Sequence, residues 1–313
     1  MKVFVTGVAG QLGHDVMNEL ADRGYEGIGS DIGGVYSGLC DGTAAESMPY
    51  MQMDITDTDS VGNVLKSVKP DVVIHCAAWT AVDLAEDEDK QKTVHRVNAD
   101  GTRNIAEVCR ELDCKMVYLS TDYVFDGTGT DPWQPDSRNY SPLNVYGKTK
   151  LEGELAVSEL LDRYFIVRIA WVFGKNGKNF IRTMLNLGKT HDRLTVVNDQ
   201  IGTPTYTYDL ARLLVDMIET EKYGYYHATN EGGYISWYDF AVEIFRQAAE
   251  LGHPEYDTNH LTVVPVTTEE YGLSKAARPF NSRLDKSKLA ENGFTPLPTW
   301  QDALARYLKE IGL

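Results

Sequence analysis

In the stretch "NVYGKTK", Tyr146 and Lys150 stand four residues apart, so on a helix their side chains share one face. A phenol beside an ammonium is an acid/base pair. A free tyrosine has a pKa of about 10, and a neighbouring cation favours its ionised form, which makes it a better proton donor at working pH. The pair alone recurs by chance on amphipathic helices, so its weight depends on what the rest of the chain places beside it. In "YLSTDYVFDG", Ser120, Thr121, Asp122 and Tyr123 end an apolar run, where a Thr121 hydroxyl can donate to a substrate carbonyl. In "TGVAGQLG", Gly7, Gly10 and Gly13 follow another apolar run and open a helical one, so that backbone N–H groups around Gln11 and Leu12 can approach a pyrophosphate. The spacing is G-x-x-G-x-x-G, a departure from the commoner G-x-G-x-x-G. Asp31 ends the next strand and is placed to hold the ribose hydroxyls of an adenosine. A carboxylate there repels a 2′-phosphate, and no basic residue stands beside it in "SDIGG", so NADH is favoured over NADPH.

These groups need a frame that brings strand ends together. Apolar runs alternate with helical periods from "KVFVTG" through "YEGIGSDI", "YMQMDI", "DVVIHCAAW" and "KMVYLSTD" to "YFIVRIAWVFG". That alternation predicts an α/β fold with a doubly wound parallel sheet of Rossmann type. Ser141-Pro142 reads as the N-cap and first-turn proline of the Tyr146 helix. Residues 32–49 are rich in glycine and carry no period, which predicts an inserted loop. Beyond residue 171 the alternation decays, so we expect a dinucleotide-binding domain over 1–170 and a smaller C-terminal substrate lobe over 171–313, with about 199–225 returning to the first domain.

With 42% hydrophobic residues, the 313-residue chain can bury a large core. The balance of 30 basic and 46 acidic residues, a formal charge of −16, argues against nucleic acid and anionic membrane as partners. No run approaches the roughly 18 apolar residues of a membrane span, and no apolar segment follows a basic start, so a cytoplasmic protein is expected. Cys40, Cys76, Cys109 and Cys114 lack C-x-x-C spacing and read as reduced packing residues; the histidines show no ligand spacing, so no metal is expected. "DLAEDEDK" reads as a solvated helix start, and Asp15 and Asp302 as surface acids.

Glycine loop, Asp31, strand-end Thr121 and the Tyr146/Lys150 pair occur in the order of the extended short-chain dehydrogenase/reductase family, which the chain resembles. "STDYVFDGTG", "PLNVYGKTKLEGE", "WVFG", "NDQIGTPT" and "ARPFNSRL" look like blocks of the branch that reduces dTDP-4-dehydro-β-L-rhamnose, and they span nearly the whole chain. The resemblance implies a nucleotide-sugar substrate, a monomer or homodimer, and NADH or NADPH as reductant. It implies catalysis by Thr121, Tyr146 and Lys150, with Lys150 also on the nicotinamide ribose. It further implies cofactor contacts from Asp54, Ile55, Ala77 and Ala78, and substrate contacts from Thr80, Val82, Asp122, Tyr123, Trp171, Asn179 and Arg283, with Arg278 second to Arg283. Asn98 matches a family asparagine that organises a water relay, with helix capping as the competing role. A dehydratase of the family follows its threonine with an aspartate–glutamate pair, and Tyr123 stands where that glutamate would be, so reduction is preferred. An epimerase or a non-catalytic dinucleotide-binding regulatory subunit are the alternatives.

Overall fold

The computed structural model describes all of residues 1–313. Seven parallel strands form one sheet: β1 (Lys2–Thr6), β2 (Glu26–Asp31), β3 (Tyr50–Gln52), β4 (Val72–His75), β5 (Lys115–Thr121), β6 (Tyr164–Ile169) and β7 (Gly224–His227), in the order β7-β6-β5-β4-β1-β2-β3. The strand order reverses direction between β1 and β4, whose register places Thr6 opposite His75. In an open parallel sheet this reversal opens a crevice at the carboxyl ends, where ligands bind. Strands buried on both faces carry nearly continuous apolar runs, as in β1 and β4, where Val3, Phe4, Val5, Val72, Val73 and Ile74 are fully buried.

Five of the helices flanking the sheet are α1 (Gln11–Asp22), α2 (Thr58–Val68), α3 (Glu88–His95), α4 (Gly101–Leu112) and α5 (Val145–Leu160). Between α3 and α4 the chain makes a π-helical turn, Arg96–Asp100. The α5 helix begins later than "SPLN" suggests: Asn144 is its N-cap, with its side chain accepting from the Gly147 N–H at 2.8 Å. Asparagine caps as well as serine, about 1 kcal/mol better than alanine, so sequence alone does not choose between Ser141 and Asn144.

Three further expectations differ in detail. The run "YMQMDI" is a strand only over Tyr50–Gln52, because Met53 and Asp54 turn toward α2. "YFIVRIAWVFG" splits into β6 and a short strand Val172–Phe173, separated at Trp171, which holds a positive φ of 51°. The inserted loop contains a helical turn, Ala44–Ser47.

Beyond β6 lie α6 (Phe180–Gly188), α7 (Thr207–Ile218), α8 (Trp237–Glu250) and α9 (Trp300–Glu310). The helices α6, α8 and α9 surround a separate apolar cluster that includes Phe173, Phe240, Phe245, Trp300 and Tyr307. Leu210, Leu213, Leu214 and Met217 of α7 instead join the main core with Leu12, Val16 and Leu20 of α1. Asp15 is therefore no surface acid: its carboxylate accepts from the Thr207 hydroxyl of α7 at 2.5 Å, and the residue is 6% exposed. Asp302 is exposed. Cys109 and Cys114 pack in the core, whereas Cys40 is exposed and Cys76 lines the crevice. No helix is long and apolar enough to cross a membrane.

Candidate active site

A cleft of about 850 Å³ opens at the carboxyl ends of β1, β2, β4, β5 and β6. Its floor is the glycine loop. Gly7 has a φ of +71°, and a Cβ there would lie 2.6 Å from the Ala77 N, so the loop must lie flat against the end of β4. Gly10 caps α1 and Gly13 packs on the Gly7 carbonyl, where a side chain would collide with backbone. Beneath the loop a buried chain runs from Thr6 Oγ1, bonded to the Ala77 N–H at 3.2 Å, through His75 to Thr102 and the Asn98 carbonyl. Burial lowers His75 to about 3, so the imidazole is a neutral structural link between β1, β4 and α4.

Asp31 accepts from the Ala9 N–H at 3.2 Å and the Ile32 N–H at 2.8 Å, which fixes its carboxylate at the cleft's edge. Asp54 accepts from Thr56, and Ile55, Ala77, Ala78, Thr80 and Val82 line the same cleft, as do Gln11 and Leu12. The Gln11 side chain is committed within the protein: its carbonyl accepts from the Gly174 N–H and the Asn179 amide, joining α1 to the start of α6.

Thr121, Asp122, Tyr123, Tyr146, Lys150 and Trp171 meet at the other end of the cleft. Tyr146 and Thr121 both line this end of the cleft. Burial pushes Tyr146 well above the usual tyrosine range, and Thr121 opposes only part of the shift. Burial lowers Lys150 to about 7, with Glu154 one turn further on working against the change. The lowering of Tyr146 by Lys150 expected from the spacing is therefore absent from the chain's own electrostatics: burial dominates and drives both groups toward neutral forms. Tyr123 meets Tyr146 edge-on at 5.5 Å, and its hydroxyl accepts from Arg278 at 3.2 Å. Trp171 stacks on Trp237 at 3.7 Å, making an aromatic wall.

Two residues expected at the substrate stand elsewhere. Asn179 caps α6 and is bonded to Gln11, Gly174 and Tyr307, because a buried helix start needs its N–H groups satisfied. Arg283 does not line the cleft; its guanidinium donates to the side-chain Oδ1 of Asn281 in its own loop at 3.0 Å. The side chain of Asn98 accepts from the Trp79 N–H at 2.8 Å and donates to Thr149 at 3.2 Å, in the π-helical turn beside the site.

Sequence reasoning missed Arg96, Asn176, Lys178 and Trp237, all of which line the cleft. Asn176 donates to the Ala9 and Gly10 carbonyls and so folds the 174–178 loop over the glycine loop. Only their arrival from distant segments makes these residues part of the site.

Three buried side-chain oxygens of the cleft have no partner in the protein: Ser30 Oγ, Ser120 Oγ and Asp122 Oδ2. Leaving such atoms unpaired is costly, which marks the cleft as built for a polar ligand.

Sheet order, glycine loop and the Thr121, Tyr146, Lys150 set together define an extended short-chain dehydrogenase/reductase. The family model described as RmlD substrate binding domain matches residues 1–313. The chain is 38% identical over 310 residues to the dTDP-4-dehydrorhamnose reductase of Aggregatibacter actinomycetemcomitans, covering 97% of each chain. It is 36% identical to the spore coat polysaccharide biosynthesis protein SpsK of Bacillus subtilis strain 168, covering 99% of this chain and 97% of that one. The crystal structure of dTDP-4-dehydrorhamnose reductase from Bacillus anthracis in complex with NADP superposes with a TM-score of 0.85 at 38% identity, covering 99% of this chain and 100% of that one. The chain belongs to the dTDP-4-dehydrorhamnose reductase family of oxidoreductases.

Proposed function

We propose that the protein reduces the C4 keto group of dTDP-4-dehydro-β-L-rhamnose to give dTDP-L-rhamnose, using NADH or NADPH. The observation that carries this reading is the convergence of Thr121, Tyr146 and Lys150 at one end of a cleft whose other end is the glycine loop with Asp31. The cleft fits a dinucleotide: Gly7 clears the backbone for a pyrophosphate, Asp31 is fixed for ribose hydroxyls, and Ser30 and Ser120, which line the cleft, have unpaired oxygens. The bound cofactor would supply the hydride and, once oxidised, a positive ring.

In this reading Tyr146 hydrogen-bonds the sugar's carbonyl oxygen and gives its proton to the alkoxide that forms. Lys150 holds the nicotinamide ribose, and its charge favours the phenolate left on Tyr146. Thr80, Val82, Tyr123 and the Trp171–Trp237 wall surround the sugar and exclude water. Residues 1–170 carry the cofactor and the lobe within 171–313 carries the nucleotide sugar, although β7 and α7 of that stretch build on the first domain.

The test is a steady-state assay of purified protein with dTDP-4-dehydro-β-L-rhamnose and either cofactor. Oxidation of the cofactor with formation of dTDP-L-rhamnose is expected. Cofactor binding with no turnover would instead mark a regulatory subunit, and interconversion of sugar epimers without net cofactor use would mark an epimerase.

A further inference from the structure

The inserted segment 32–49 starts at the cleft, where Ile32 is part of the lining, and then runs back across one face of α1. Gln11, His14 and Asn18 stand three and four residues apart, so they share that face. Asn18 accepts from the Ala45 N–H at 2.8 Å, which turns its amide nitrogen to His14 Nε2, 3.2 Å away. Nε2 therefore accepts, and Nδ1 donates to the Tyr36 hydroxyl at 3.0 Å. The imidazole is a neutral anchor for the segment. Although it lies 3.8 Å from Asp41, the cation paired with that carboxylate is Lys175.

Asp41 joins the segment to the second wall of the cleft. Its Oδ1 accepts from the Thr43 hydroxyl at 2.7 Å, and its Oδ2 accepts from Lys175 Nζ at 2.7 Å. Lys175 belongs to the 174–178 loop, whose Asn176 donates to the Ala9 and Gly10 carbonyls. Gly38 packs on the same asparagine: a Cβ there would lie 2.9 Å from Asn176 Nδ2. Asn176, Gly177 and Lys178 line the cleft, whereas Lys175 borders a separate cavity of about 310 Å³. Gly174 is tied to Gln11 and Asn179, and the Lys175 carbonyl to Arg182, so the loop has a fixed base. Its tip depends on Asn176 and on the Lys175–Asp41 pair, whose side chains are 27% and 13% exposed.

Building on the dinucleotide cleft proposed above, we infer that Asp41 and Lys175 are positioning residues that hold the 174–178 loop against the glycine loop, so that the 32–49 segment sets how fast the cofactor leaves. A dinucleotide bound between these walls is released when the tip lifts, and the tip lifts when the ion pair and the Asn176 bonds break. By charge alone, an acid near a pyrophosphate site weakens an anionic cofactor. Retention of the cofactor by Asp41 therefore acts through the loop.

The experiment follows NADH release from wild type, Asp41→Asn, Lys175→Met and the double variant by stopped-flow fluorescence, with excess NAD⁺ as the chase. Asp41→Asn should speed release by about 3- to 10-fold and change the association rate by less than about twofold. Charge alone predicts the opposite sign, because removing the acid and freeing Lys175 would slow release. Slower or unchanged release in Asp41→Asn overturns the inference. Lys175→Met should match Asp41→Asn, and the double variant should release no faster than either single one, because all three break the same pair. Rates that multiply in the double variant also overturn it. Trypsin supplies a readout that needs no cofactor. In the apoprotein, cleavage after Lys178 should be about 3- to 10-fold faster in both single variants than in wild type, with melting temperatures within about 2 °C of one another. Equal cleavage rates would show that the pair does not hold the loop. Wild-type protein that binds no NADH would refute the cofactor reading, and the cleavage rates would still decide the role of Asp41 and Lys175.

Discussion

Lys150 Nζ lies 4.2 Å from the centre of the Tyr118 ring, and the Tyr118 hydroxyl donates a 3.0 Å hydrogen bond to the Lys150 carbonyl. The ring holds the ammonium over its negative face while the hydroxyl pins the helix that carries it. Tyr118→Phe keeps the face and loses one hydrogen bond, so stability should fall by about 1 kcal/mol with cofactor affinity unchanged. Tyr118→Leu removes both, and should cost about 2–4 kcal/mol of stability and weaken cofactor binding roughly 3- to 10-fold. Thermal unfolding and fluorescence titration with NADH separate the two effects; equal affinity in both variants would show that the ring does not hold the lysine.

Replacing Tyr146 tests the proton donor. Tyr146→Phe should lower kcat by roughly 100-fold or more and leave cofactor affinity nearly intact, since the ring and its contact with Tyr123 survive. Lys150→Met should lower kcat and also weaken cofactor binding. Near-normal turnover in Tyr146→Phe would place the donor elsewhere.

The βαβ alternation and the Thr121, Tyr146, Lys150 set were legible because they rest on local signals: apolar runs of strand length, glycines at a strand–helix turn, and a four-residue helical spacing. What was hidden depends on contacts between distant segments. Lys178 and Trp237 enter the cleft from segments beyond β6 whose placement no local pattern reports. Arg283 misled because an arginine near a cleft is equally able to satisfy its own loop, as its bond to Asn281 does. Asp15 looked solvated on an amphipathic helix, and only α7, nearly 200 residues later, buries it.

That burial has a consequence for pH. Asp15 is raised from 3.8 to about 7 chiefly by loss of solvent, with Glu310 adding and the Thr207 hydrogen bond opposing. Between those values the folded state keeps a proton that the unfolded state has released, so stability falls as pH rises through the window and levels off above about 7. The span corresponds to an upper bound on the order of 4 kcal/mol. Asp15→Asn still accepts from Thr207 and carries no charge. It should raise the melting temperature at alkaline pH by about 3–6 °C and flatten its pH dependence above about pH 4. An unchanged slope of melting temperature against pH would mean that the buried carboxyl titrates normally.

Cofactor choice turns on the charges around the adenosine end of the cleft. Asp31 is held in place by the Ala9 and Ile32 N–H groups and cannot swing away from a 2′-phosphate. The cations lining the cleft are Arg96, Lys150 and Lys178. Arg96 donates to Thr56, which itself donates to Asp54, and Lys150 belongs to the catalytic end. Lys178 forms no ion pair and ends the 174–178 loop that Asn176 folds over Ala9 and Gly10. Its charge is expected to serve the pyrophosphate that both cofactors share. NADH should be used at least as well as NADPH, and Asp31→Ala should shift the ratio of kcat/KM toward NADPH by about tenfold by removing the repulsion. Lys178→Ala should weaken both cofactors alike, by roughly 3- to 10-fold at low salt, and reduce the salt dependence of binding. Steady-state assays and titrations of wild type and both variants with each cofactor, at two ionic strengths, give these comparisons. A strong wild-type preference for NADPH, lost in Lys178→Ala, would mean that Lys178 reaches the 2′-phosphate and overrides Asp31.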